Sequence, residues 1–217
     1  MSGGRRPPRH RGHAPANRRA QVAAGSHAEQ AIAEMVALYR THHWTGSRWA
    51  FAPPGGPVPG GMLVRQPPPV GGVPGQLTYR AKAVTDYFGF LADRGRMLPV
   101  AFDVKSVGGE SSFALKPGAS HQLQFCQEVR RYGGMGFFLC VDLSAGWAWL
   151  ISTSAELAAL AAGDRVPLCK RRGGVPVEHA TLAIPRRQVP GTALFGFDFL
   201  RALLDNPDES GQVGGSP

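Results

Sequence analysis

Hydrophobic positions along this chain follow two different periods, and the switches between them mark its elements. From Ser26 to Tyr39, the apolar residues Ala28, Ile32, Met35, Val36 and Tyr39 recur at three- and four-residue spacing, which predicts an amphipathic helix. Ser26, followed three residues on by Glu29, forms a capping box that would start it. The period then disappears. Residues 52–76, "APPGGPVPGGMLVRQPPPVGGVPGQ", are dominated by Pro and Gly, and only Met62 to Arg65 has the look of a strand.

From Thr85 the pattern tightens. "TDYFGFLA" (85–92) and "MLPVAFDVKS" (97–106) predict two strands joined by the turn "DRGR", a hairpin. A helix follows, with Pro117 or Ser120 near its start and Gly133 at its end. "MGFFLCVDL" (135–143) is a nearly continuous apolar strand, and "SAG" turns it back into "WAWLIS" (147–152). There Trp147 and Trp149 share one face and cover the core or a dimer surface. A short helix (154–163, closed by Gly163), a strand (180–185) and a final helix (195–204) complete the pattern. The expected fold is α/β, a mixed central sheet flanked by helices.

Composition adds a direction. The formal charge is +9, and of 24 basic residues 20 are Arg and four are Lys. Such a balance favours a polyanionic partner, nucleic acid ahead of membrane. Six Arg, two His and no acid fall in the first 19 residues, so residues 1–24 are expected to be a disordered basic arm able to grip phosphates. Residues 205–217 are expected to be a polar tail. Cys126, Cys140 and Cys169 are distant and odd in number, which supports neither a zinc ribbon nor a disulfide framework and fits reduced thiols in the cytoplasm. The N-terminus lacks an apolar signal region, and no apolar run approaches the ~20 residues of a membrane span.

The candidate chemistry sits in "LPVAFDVKS" (98–106). Apolar residues run to Phe102, and then Asp103 and Lys105, two apart, project from one face. Asp86 opens the preceding strand, and a hairpin brings that position beside Asp103. Adjacent carboxylates repel unless a cation lies between them. Mg²⁺ suits such a pair, since it takes carboxylate oxygens, waters and substrate phosphate oxygens. Lys105 would then stand near the attacking water and offset charge on the phosphoryl oxygens. A surface salt bridge at a strand end is the plainer alternative.

The pattern of Asp86 followed by Asp103-x-Lys105 resembles the PD-(D/E)XK nuclease superfamily and, within it, RecU-type Holliday junction resolvases. The resemblance spans most of residues 25–204. "GSHAE" (25–29), "VRQPPPV" (64–70), "TDYFG" (85–89), "FDVKS" (102–106), "SSFAL" (111–115), "HQ" (121–122) and "YGGMGFFL" (132–139) follow in the family's order. It implies a restriction-endonuclease-like core with a reduced stalk over 52–84. It further implies Mg²⁺, with Mn²⁺ as a substitute, held by Asp86, Asp103 and Gln122. Lys105 would stabilise the transition state, Glu29 would face the site, and Arg65 would contact DNA. The expected activity is hydrolytic resolution of Holliday junctions in DNA recombination and repair, by a homodimer. Two positions depart from the family: Asp103 stands where Glu is usual, and Val84 stands where a Thr is usual, with Thr85 turned away from Asp86.

The shortened stalk keeps other branched or duplex DNA open as substrates, and a catalytically weak DNA-binding module is the reading outside enzymes. Lys170, Arg171 and Arg172 form a basic turn suited to a duplex arm. His121 is more simply a solvated or core histidine, and His42 and His43 have no partner at metal-ligand spacing.

Overall fold

The computed structural model of the chain describes residues 15–66, 70–71, 78–79, 84–93, 96–168 and 182–205. A six-stranded mixed sheet forms the centre, built from β1 (Gly61–Arg65), β2 (Tyr87–Asp93), β3 (Arg96–Ser106), β4 (Met135–Asp142), β5 (Trp147–Ile151) and β6 (Leu182–Pro185). Its spatial order is the chain order, β1 to β6. All neighbours are antiparallel except β3 and β4, which run parallel. Parallel neighbours need a crossover, and α2 (Ser120–Arg131) supplies it.

Helices α1 (Pro15–Tyr39) and α4 (Phe199–Asp205) cover one face, with Ile32, Met35, Tyr39, Phe199 and Leu203 buried against Leu63, Tyr87, Phe102 and Phe137. Helices α2 and α3 (Ser154–Ala162) cover the other, around Leu123, Leu157, Leu160, Phe138 and Trp149. Trp149 lies wholly in this second core, with Trp147 half-buried beside it. The Thr153 and Glu156 side chains cap the start of α3 reciprocally, and Gly163 ends it in the left-handed conformation.

Two element boundaries differ from expectation. Helix α1 begins at Pro15 rather than Ser26, so Ser26 lies inside it and caps nothing. The helix thus enters the stretch expected to be an arm; "RRAQVAA" before Gly25 is made of good helix formers and carries the helix through. Residues 1–14 and 206–217 lie outside the described residues. The last helix starts at Phe199 rather than Phe195, because Phe195–Gly196 pairs with Arg187–Gln188 as a small ladder. Gly196 belongs there sterically: a Cβ at this position would meet the Met35 sulfur at 2.7 Å. Of the expected stalk, residues 67–69, 72–77 and 80–83 lie outside the described residues, as does the "DRGR" turn centre; of the rest, 61–65 forms β1 and Val70–Gly71 pairs with Thr78–Tyr79. Among the described residues, no helix is long and apolar enough to cross a membrane.

Candidate active site

The hairpin register decides the site. Tyr87 pairs with Phe102, which sets Asp86 beside Asp103. Each carboxylate then binds the other's strand. The Asp86 backbone N–H donates to Asp103 Oδ1 at 3.0 Å, and the Val104 N–H donates to Asp86 Oδ2 at 2.8 Å. Beneath this end of the hairpin, the rings of Tyr87, Phe102 and Phe137 stack across β2, β3 and β4 at centroid spacings of 4.9 Å. Phe102 and Val104 point into that core, and strand alternation sends Asp103 and Lys105 to the opposite face.

Asp103 has no solvent exposure. Burial pushes its carboxyl up to about 6, against the pull of the Lys105 ammonium and with the repulsion of Asp86 adding to the rise. Lys105 forms an ion pair with Asp103 Oδ2 and donates to Gln122 Oε1 at 3.1 Å. Gln122 in turn donates through Nε2 to Asp103 Oδ1 at 3.0 Å. Asp103, Lys105 and Gln122 therefore form a closed ring of hydrogen bonds, with Asp86 attached through the backbone.

Helix α2 delivers Gln122 because it lies directly on β4. Gly136 makes this possible: a Cβ there would fall 1.9 Å from the Cys126 carbonyl oxygen. Cys126 itself is structural. Burial and the nearby Asp103 carboxylate push its thiol up to about 12, which keeps it protonated and unreactive. Burial likewise raises the Cys140 thiol.

Thr85 is buried, and its hydroxyl donates to the Phe102 carbonyl oxygen at 2.6 Å, so it braces the hairpin from the face opposite the ring. Glu29 and Arg65 come together from α1 and β1 as an exposed ion pair. The pair engages the side chains expected to face the site and to contact DNA, and Glu29, mid-helix, does not make the capping contact expected of it. Lys170, Arg171 and Arg172 lie outside the described residues.

Sequence reasoning gave no weight to the Tyr87 hydroxyl. It is buried and has no hydrogen-bond partner among the described residues. Burial raises its pKa; Arg65 acts against the rise, and Glu29 and Asp86 add to it, which places the hydroxyl in the field of all three charged groups. Its signal was "TDYFG", but a tyrosine beside Phe102 in a strand pattern marks core first.

Among the described residues, no three His, Cys, Asp or Glu side chains converge as a metal cage. The donor set at the hairpin end is two carboxylates and one amide oxygen. These are hard oxygen donors of the kind Mg²⁺ takes, but Asp103 is without solvent exposure and its oxygens accept from Lys105, Gln122 and the Asp86 N–H, so a cation there would have to take the place of the Lys105 ammonium. No protein-family model matches this chain, and no curated protein matches it.

Proposed function

We propose that this chain is a Mg²⁺-dependent endodeoxyribonuclease of the PD-(D/E)XK type, RecU-like, that cuts branched DNA and four-way junctions foremost. The observation that carries this reading is the ring of Asp103, Lys105 and Gln122 with Asp86 locked beside it. The order α1, β1, β2, β3, α2, β4 supports a restriction-endonuclease-like core around it.

Asp86 and Asp103 would hold the metal, which when bound supplies charge to a phosphoryl oxygen and acidifies a water. Mn²⁺ would substitute for Mg²⁺. Lys105 keeps its ammonium at the same point through Gln122, where it orients the attacking oxygen and offsets charge growing on the phosphate. Gln122 fixes the orientation of both Asp103 and Lys105. Arg65, once turned from Glu29, would meet a DNA phosphate, and the +9 net charge favours DNA in general. Nothing in the sequence suggests base reading, so DNA shape sets selectivity.

A homodimer belongs to the proposal. Met62, Val64, Phe88 and Phe90 stand exposed on one face of β1 and β2, an apolar surface that a second copy would cover. Sedimentation of Phe88→Glu against the wild type checks it.

Cleavage of mobile four-way junctions, flaps and linear duplex with Mg²⁺ tests the activity. Asp103→Ala should abolish cutting, and Lys105→Ala should slow it about 10²–10³-fold. If both variants cut like the wild type, the assignment is wrong. Equal rates on junction and component duplex would keep the chemistry and remove the junction preference.

A further inference from the structure

A concave site lies at the other end of the same hairpin. Ala92 pairs with Met97 there, six residues along β3 from Asp103 and hence about 20 Å away. A cavity of about 590 Å³ opens at this end, within the size range of small-molecule sites. Its walls include Trp44, Trp49, Val58, Arg96, Met97 and Arg201.

The walls are fixed before any ligand arrives. The Trp49 indole donates to Asp198 Oδ2 at 2.8 Å, and Asp198 also accepts from the Tyr39 hydroxyl at 3.0 Å. Gly60 brings the preceding loop onto the same indole, where a Cβ would lie 2.5 Å from the ring. Trp44 meets Trp49 edge-on at 5.5 Å. The Arg201 guanidinium lies 4.8 Å from the centroid of Trp44 and is held by Asp205, whose Oδ2 accepts from its Nε at 2.7 Å. Asp205 offsets the charge of Arg201, so this side chain offers a flat polar surface, while Arg96 supplies positive charge at the rim.

We propose that this cavity binds a nucleotide unit, a planar base with one phosphate. Trp49 is buried and braces the wall, so the planes that a flat aromatic ring could stack on are the half-buried Trp44 indole and the Arg201 guanidinium, and they give no matching gain to a flexible aliphatic chain. Arg96 suits a single phosphate beside that ring. The unit is either a free nucleotide or an unpaired nucleotide of a DNA strand, and the proposal does not depend on the cleavage reaction.

Calorimetric titration of the full chain in EDTA, which silences any metal-dependent cutting, tests it with dAMP, deoxyribose 5-phosphate and inorganic phosphate. dAMP should bind at least tenfold more tightly than either of the other two. Arg96→Glu, a change at an exposed strand end, should weaken dAMP at least fivefold without altering the thermal unfolding of the protein. A single-stranded oligonucleotide that displaces dAMP where blunt duplex does not identifies the unpaired strand as the source. Failure of both DNAs to displace it identifies the free nucleotide. Binding of dAMP no tighter than phosphate, or unchanged in Arg96→Glu, overturns the proposal.

Discussion

At neutral pH the Asp103 carboxylate is ionised without solvent contact, and its tie to Lys105 and Gln122 is what makes that tolerable. Its folded pKa of about 6 lies above the ordinary 3.8, so the folded chain holds the proton more tightly than the unfolded chain. That contribution is complete below the unfolded value and is lost as pH rises through about 6. In EDTA, urea unfolding should therefore show wild-type stability falling by up to about 3 kcal/mol from this group between pH 4 and pH 7, and Asp103→Asn should flatten that slope. Mg²⁺ added at pH 7.5 should restabilise the wild type and leave Asp103→Asn unmoved. Lys105→Met removes the cation and leaves the buried acid. It should cost about 1–3 kcal/mol at pH 7.5 and clearly less at pH 5, where Asp103 can take up a proton; denaturation curves at the two values check this. Asp86, Asp103 and Lys105 were legible from the sequence because period-two alternation and one hairpin register suffice to place them. The Glu29–Arg65 pair was not, since its members are 36 residues apart on elements whose docking no local pattern encodes.

Elements show the same division. Strands β2 to β5 and helices α2 and α3 fall where apolar period and Gly punctuation put them. The start of α1 does not, because a cap-like Ser26 is outweighed by good helix formers ahead of it. The cavity beside Trp44 and Trp49 is likewise illegible: it gathers short pieces from distant parts of the chain, none with a periodic signature. The contact between α2 and β4 is among the tightest backbone approaches of the described residues. Gly136→Ala should destabilise the protein by about 2–4 kcal/mol, because the intruding methyl meets backbone rather than a side chain that can turn away. It should also shift the Gln122 side-chain amide resonances in NMR spectra, since the helix that carries Gln122 must lift. Preserved stability and unchanged resonances would show that the helix is not seated on this glycine.

For the molecule as a whole, charge and topology act together. Residues 1–14 contain Arg5, Arg6, Arg9 and Arg11 and no acid. If the chain binds DNA as proposed, removing them should weaken that binding most at low salt and lower the slope of log affinity against log salt by up to about 4, as each lost phosphate contact removes roughly 0.9. Binding isotherms at several salt concentrations measure that slope, and an unchanged slope would mean that the arm does not touch DNA.

Because the sheet is laid out in chain order, each strand can join a neighbour that has already been made. The β2–β3 and β4–β5 closures are short, whereas residues 66–86, 107–134 and 152–181 make longer connections between the other neighbours, each at a loop-closure cost that grows only slowly with length. The consequence reaches the site during synthesis. Once Ser106 has left the ribosome, β1, β2 and β3 can pair and bring Asp86 and Asp103 together, while Gln122 is still to come. The residues of the carboxylate pair and Lys105 are thus synthesised before the helix that carries Gln122.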